Sequence, residues 1–376
     1  MKSLLVVIVV SLGQKSVRSS QPVQVLYMLL AKIALNLKVK NVLQMDLWKK
    51  HGTDGRLRCL LCPHECIIPE GRSGICRVRE NNGDRINLTT YGVISGYGLD
   101  PVEKKPLYHF FPGKVILSVG SYGCNLKCDF CQNYHISQNI DKEGNYRLSP
   151  EELVSRALRA PGNIGIAYTY NEPVIWYEYV MDCAGLASSA GLKNVLVTNG
   201  YINREPLAHL IEVTDAFNID LKAFDNDFYH RLTGSTLNPV LDAIRDVASS
   251  GRHLEITTLI LPSLNDSDDS MKREAEWIAS NAGRHVPLHL SRYFPMYRRN
   301  TPSTPSDTIL RLKDIASQYL DYVYTGNMSG LEPGSDTECP ACHNILIKRY
   351  GYRTYLTGIT SAGRCNKCNE LIIKWI

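Results

Sequence analysis

Three cysteines fall within eight residues of this 376-residue chain: Cys124, Cys128 and Cys131 in SYGCNLKCDFCQNYH. Iron–sulfur clusters are held by thiolates, commonly four of them. Three leave one metal without a protein ligand, the difference that separates an open catalytic centre from a closed structural one. A 4Fe–4S cluster held this way keeps one iron free for a substrate or cofactor. Gly123 allows close backbone approach ahead of the first cysteine, and Phe130 stands where it can shield the cluster or back a planar ring. The competing reading is a three-cysteine zinc site completed by His135.

Such a loop needs a frame, and from about residue 115 the sequence alternates strand and helix signals. Strands are expected over 115–120 (VILSVG), 165–170, 194–200, 216–224, 253–262, 286–295 and 322–327. They are mostly apolar and β-rich, as strands covered on both faces are. Ser149-Pro150-Glu151-Glu152 reads as an N-cap, a first-position proline and a capping-box glutamate, and Asn238-Pro239 opens a helix in the same way. Amphipathic stretches near 174–189, 237–250, 267–281 and 306–320 fill the crossovers. The pattern predicts an α/β fold, a whole or partial parallel (β/α) barrel with its chemistry at the C-terminal strand ends. That rule selects the cysteine loop, then Tyr170-Asn171-Glu172, Thr198-Asn199-Gly200, Asp220 with Lys222, His289 with Arg292, and Asn327. Any of them can instead serve as an internal hydrogen-bonding group of a barrel.

Two further cysteine groups flank this core. Cys339-x2-Cys342 and Cys365-x2-Cys368 have the spacing of a zinc ribbon, in which two hairpin turns aim four sulfurs at one tetrahedral ion. Zinc is preferred there over a single iron. Cys59, Cys62, Cys66 and Cys76 form a compact set that suits zinc or an auxiliary cluster, since four thiolates satisfy both. A staple for a small lobe is the favoured role, ahead of an electron relay or substrate anchor, and His64 is read as a bystander. Cys183 reads as a buried apolar residue, and Lys104-Lys105 as a solvated turn.

Composition excludes several classes. The chain is 44% hydrophobic and 21% charged, ordinary for a folded enzyme. Its net charge of +5 resides in residues 1–44, which hold six Lys or Arg and no acid; no basic, aromatic-interleaved stripe for nucleic acid remains beyond them. That leader, with Lys2, LLVVIVV and Ser11-Leu12-Gly13, looks like a signal peptide, yet the spaced C-x2-C steps suit metal chelation in a reducing compartment rather than disulfides. We expect a cytoplasmic protein without a membrane anchor whose working start is Met45, residues 1–44 being dispensable or a mis-assigned start. The expected divisions are an N-terminal Cys-rich lobe over 45–112, a core barrel over 113–331 and a zinc-ribbon-like segment over 332–376.

C-x3-C-x2-C with an aromatic before the last cysteine, on the loop after the first strand of a (β/α) series, resembles the radical SAM superfamily. DPVEKKPLYHFFPG, YTYNEP, TNG, DLKAF, LHLSRYFP and YTGN add a resemblance to the radical SAM member of the AmmeMemoRadiSam system, related to the activating enzymes of pyruvate formate-lyase and other glycyl-radical enzymes. The resemblance spans about residues 45–376. It implies a partial TIM-type barrel in which Cys124, Cys128 and Cys131 hold a 4Fe–4S cluster whose open iron binds S-adenosylmethionine. One electron then yields methionine and a 5′-deoxyadenosyl radical that takes a hydrogen atom from the substrate. It also implies that Tyr170, Asn171 and Glu172 replace a Gly-Gly-Glu segment holding the methionine amino group. Thr198 and Asn199 approach the cofactor, Lys222 serves its carboxylate, and Asp220 serves ribose or substrate. The activase relationship extends the substrate to a protein or peptide, and the electron to a flavodoxin or ferredoxin. A small-molecule substrate is the alternative within enzymes. A non-catalytic iron–sulfur electron carrier or zinc-ribbon partner-binding protein is the alternative outside them.

Overall fold

Runs of β-branched and aliphatic residues build one eight-stranded sheet in the computed structural model, which describes residues 47–140, 146–328 and 334–376. The leader expected over 1–44 and the expected junction at 331–332 lie outside the described residues. The strands are β1 (Gly96–Pro101), β2 (Val115–Gly120), β3 (Asn163–Tyr168), β4 (Lys193–Thr198), β5 (Ala216–Asp220), β6 (His253–Ile260), β7 (Leu288–Arg292) and β8 (Val323–Gly326). Their order in the sheet is their order in the chain. Each pair from β2 to β8 is parallel, while β1 pairs antiparallel with β2. β1 and β8 are the two edges, so the barrel is partial, as expected.

Parallel neighbours need crossovers, and helices supply them: α1 (Pro150–Arg159), α2 (Tyr177–Ser189), α3 (Arg204–Val213), α4 (Asn238–Ser249), α5 (Asp268–Asn281) and α6 (Ser306–Ala316). α1 begins with the expected capping box, Ser149 Oγ accepting from Glu152 N and Glu152 from Ser149 N. The Asn238 expectation is corrected. Asn238 is the first helical residue and caps nothing; Leu237 N donates instead to Asn226 Oδ1, 3.1 Å away. α3 had no counterpart in the sequence reading, because REPLAHLIEV buries only Pro206, Leu207 and Leu210, a face too narrow to register as a stripe.

Between β1 and β2, residues 102–111 plug the inner face of the sheet. Val102, Leu107 and Phe110 pack there against Ile116, Ala167, Val195 and Ala216. Glu255 on β6, fully buried, fixes the plug by accepting from Tyr108 N (2.9 Å), His109 N (2.8 Å), His253 Nε2 (2.8 Å) and His289 Nε2 (2.6 Å). Burial opposes its charge, but the two imidazoles prevail and hold the carboxyl well below the usual range.

A three-stranded antiparallel sheet (Trp48–His51, Arg56–Cys59, Ile67–Ile68) carries the N-terminal cysteines, and another (Thr337–Glu338, Ile345–Tyr350, Arg353–Leu356) carries the C-terminal ones. Arg349 of the latter is buried, stacks 4.1 Å over the Tyr108 ring and donates to Tyr108 O, so the ribbon braces the plug. Among the described residues, no helix is long and apolar enough to cross a membrane.

Candidate active site

The loop bearing Cys124, Cys128 and Cys131 leaves β2 and ends at a short helix, Tyr134–Ser137. Asn171 pins its start, with Nδ2 donating to Gly123 O (2.9 Å) and Oδ1 accepting from Ser121 N (3.0 Å). Asn133 Nδ2 ties its end to Tyr170 O, 2.5 Å away. Gly123 sits at φ +87°, and a Cβ there would meet Cys76 O at 2.8 Å and Val78 Cγ1 at 2.9 Å; only glycine fits. Cys124 Sγ accepts from Leu126 N (3.3 Å) and, more distantly, from Asn199 Nδ2 (3.8 Å). Cys131 Sγ lies 3.2 Å from Ser137 Oγ. Burial pushes the Cys124 thiol up, and the Cys128 thiol up to about 12 against the pull of Lys222. Ionising Cys124 and Cys128 therefore calls for added positive charge, which a metal supplies.

Tyr170 follows β3 at φ +72°, a conformation that costs a tyrosine on the order of 1–3 kcal/mol. Its hydroxyl donates to Asp100 Oδ2 (2.7 Å), which also takes Lys105 Nζ (2.8 Å), and that ammonium lies 4.7 Å over the Tyr170 ring. A tyrosine thus holds the backbone form that glycine would adopt freely, and it is locked there from its far end. Glu172 is buried and turned toward β4, accepting from Thr198 Oγ1 (2.6 Å), Val174 N (3.0 Å) and Asn199 N (2.8 Å). Burial nevertheless raises its carboxyl to about 7. Asn199 Nδ2 donates to Asn125 Oδ1 (2.9 Å), linking the end of β4 to the cysteine loop. Lys222 Nζ pairs with Asp220 Oδ2 at 2.6 Å. Burial works against that ammonium, but Asp220 and Cys128 make it hold its proton more tightly than usual.

A cavity of about 540 Å³ opens among these groups. It is lined by the three cysteines, Phe130, Tyr170, Asn171, Glu172, Asn199, Asp220 and Lys222, with Asn218, Thr257, His289 and Tyr108 also on its wall. Thr198, expected at the cofactor, lies outside the lining, its hydroxyl spent on Glu172. Phe130 is buried and tilted against Phe228, 5.9 Å away. Arg292 lies outside the lining, its Nε donating to Thr304 O. His135 is exposed, its ring on Tyr134, and joins no group of gathered ligands among the described residues. The sequence reading missed Lys105, which is buried and lines the cavity. The run of acid and base in DPVEKK was its only signal.

The C-terminal sulfurs do gather. Cys339, Cys342, Cys365 and Cys368 lie within 4.8 Å of one another, and Cys339–Cys368 and Cys342–Cys365 are 3.5 and 3.7 Å apart. Four sulfurs about 2.3 Å from one tetrahedral ion stand at about that spacing.

Residues 118–275 match the model of the radical SAM superfamily. The chain is 40% identical over 325 residues to uncharacterized protein MJ0808 of Methanocaldococcus jannaschii, a match covering 85% of this chain and 96% of that one. This chain belongs to the radical SAM superfamily. The radical SAM protein is also 25% identical over 217 residues to pyruvate formate-lyase 1-activating enzyme of Escherichia coli K12, covering 52% of this chain and 86% of the relative. The crystal structure of Streptococcus suis SuiB bound to S-adenosylmethionine aligns at TM-score 0.46 and 15% identity, covering 61% of this chain and 53% of that one.

The superfamily implies a 4Fe–4S cluster and S-adenosylmethionine, and the residues fit them. All three cysteines are free thiols on one cavity wall, and no three of their sulfurs crowd together as a single ion requires. Carboxylate, ammonium and carboxamide groups face them across the cavity. When bound, the cluster supplies an electron and an open coordination position. The chain's own residues hold the loop (Asn171, Asn133), donate toward sulfur (Leu126 N, Asn199) and set a carboxyl and an ammonium group on the same cavity (Glu172, Lys222).

Proposed function

We propose that this radical SAM protein is an activase-like enzyme of the AmmeMemoRadiSam type. Cys124, Cys128 and Cys131 hold the cluster, Glu172 and Asn171 receive the amino group of S-adenosylmethionine, Lys222 receives its carboxylate, and Asp220 serves ribose or substrate. One electron from a flavodoxin or ferredoxin splits the sulfonium into methionine and a 5′-deoxyadenosyl radical. That radical takes a hydrogen atom from a protein substrate and leaves as 5′-deoxyadenosine. The observation that carries the reading is the convergence of three free thiols with Glu172, Asn199 and Lys222 on one cavity. The relationship to pyruvate formate-lyase 1-activating enzyme supports the protein substrate. Twelve unpaired cysteines support a cytoplasmic site, and the sulfur spacing of the ribbon supports zinc. The division into an N-terminal lobe, a barrel and a ribbon belongs to the same reading.

Anaerobically reconstituted and reduced, the protein should convert S-adenosylmethionine to 5′-deoxyadenosine, and Cys128→Ala should abolish the conversion. Equal activity in the variant refutes the ligand assignment, and intact S-adenosylmethionine after prolonged incubation favours an electron carrier. Deuterated candidate proteins from the same cell should pass label into 5′-deoxyadenosine; label passed only from small metabolites refutes the protein substrate.

A further inference from the structure

The N-terminal cysteines differ from those of the ribbon in a way that spacing along the chain does not show. Cys59, Cys62 and Cys76 are buried and Cys66 is half-buried, all four as free thiols. Cys62 is close enough to feel the other three electrostatically. Among the described residues, however, only the ribbon gathers three or more sulfurs within 4.8 Å. The N-terminal set is looser, as is the catalytic trio. Sulfurs on one ion must crowd together, whereas sulfurs on different irons of a cube stand wider apart. Neither the N-terminal four nor the trio is drawn onto one point as the ribbon sulfurs are.

Their surroundings are built for bound sulfur. Ile75 N donates to Cys66 Sγ (3.5 Å), the His64 amide faces Cys62, and the Val78 and Arg79 amides face Cys76. Arg79 is buried, holds Glu178 through both terminal nitrogens at 2.8 Å, and keeps an unpartnered Nε in a side chain that feels Cys59 and Cys76. Glu65 and Arg77, each closing a turn beside these cysteines, have φ of +42° and +65°. A left-handed non-glycine residue is tolerated where its surroundings over-determine it.

The lobe also touches the catalytic loop directly. Gly123, one residue before Cys124, abuts the Cys76 carbonyl. His64, two residues after Cys62, donates from Nε2 to Asn125 O at 2.8 Å, one residue after Cys124. On the outer side, Cys66 is half-buried and Ile67 is exposed.

We infer that Cys59, Cys62, Cys66 and Cys76 hold a second 4Fe–4S cluster that passes single electrons from a reduced carrier protein to the three-cysteine site. One electron enters at the Cys66 side, reduces the second cluster from the 2+ to the 1+ state, and leaves it for the catalytic one, which is reduced in turn; no bond or proton changes. The metal site stands on its own residues, and the relay rests on the radical chemistry proposed above.

Full-length protein prepared anaerobically should contain about eight iron and one zinc per chain. The triple variant Cys124→Ala/Cys128→Ala/Cys131→Ala should keep about four iron and, once reduced, the electron paramagnetic resonance signal of a 4Fe–4S cluster. About four iron and two zinc in the wild type, or an iron-free triple variant, overturns the site whether or not the wild type cleaves S-adenosylmethionine. In Cys62→Ala/Cys76→Ala, iron should fall by half. The rate of catalytic-cluster reduction by flavodoxin, relative to that by titanium(III) citrate, should then fall at least tenfold; an unchanged ratio overturns the relay. Should that variant not fold, the iron and zinc counts of the wild type and the triple variant still decide the site.

Discussion

Glu172 offers a test in which the sign of a pH effect identifies a role. Burial raises its carboxyl from 4.5 to about 7, even though it accepts from Thr198, Val174 and Asn199. If Glu172 receives the ammonium of S-adenosylmethionine, only the ionised form binds well, and apparent affinity follows the ionised fraction. That fraction is about 0.1 at pH 6.0 and about 0.75 at pH 7.5, so affinity should rise about eightfold over this interval. Glu172→Gln keeps the size and the acceptor but never carries the charge. A hydrogen bond to a charged group is worth about 1.5–3 kcal/mol, so the variant should bind roughly 10- to 150-fold more weakly at pH 7.5, with no pH dependence. Stability runs the opposite way. A folded value above the unfolded one makes the neutral carboxyl's contribution complete below about pH 4.5 and lost as pH rises through about 7. Titrations of reconstituted protein with S-adenosylmethionine at the two pH values, read calorimetrically, give both affinities. A wild-type affinity flat between pH 6.0 and 7.5, or a variant binding as tightly as wild type, refutes the assignment.

Gly123→Ala should destabilise the fold by a few kcal/mol, on the order of 2–5, because it adds left-handed strain to a clash with Cys76 O; a melting temperature within a degree of wild type counts against this packing. Glu274 is buried with its carboxyl raised to about 7 by burial, and its hydrogen bond comes from Thr258 Oγ1 at 2.5 Å. Wild type should therefore lose about 2.5 kcal/mol relative to Glu274→Gln between pH 5 and pH 8, and scanning calorimetry showing a constant difference in melting temperature speaks against it. Cys342→Ala should release about one zinc per chain and lower the melting temperature, since it opens a four-sulfur site; unchanged zinc by elemental analysis removes the ribbon assignment.

The barrel was legible because strands such as 115–120 and 253–262 are buried along most of their length and read as mostly apolar, β-rich runs. Expected strand ends ran long at 170, 200 and 224, because the chain past Tyr168, Thr198 and Asp220 leaves the ladder as the loops that carry the site. β1 escaped notice because GYGLDP, with two glycines and a proline, is tolerated only as a sheet edge. The site was legible through residue types at strand ends; its second layer was not. Lys105 reads as a surface turn until Asp100 and the Tyr170 ring enclose it. His64 reads as incidental until a fold brings it 61 positions along the chain to Asn125. Nor does sequence spacing reveal that one cysteine quartet crowds together while another spreads.

The plug at 102–111 and the ribbon that braces it carry a final consequence. Tyr108 and Lys105 from one and Tyr352 from the other form part of the cavity wall, though neither segment lies on a parallel strand. One chamber is therefore walled jointly by the parallel strand ends and by two segments that lie off them. Exchanging the ribbon hairpin would re-tailor the wall at Tyr352 alone, whereas any change in the plug reaches Tyr170 through Lys105 and Asp100.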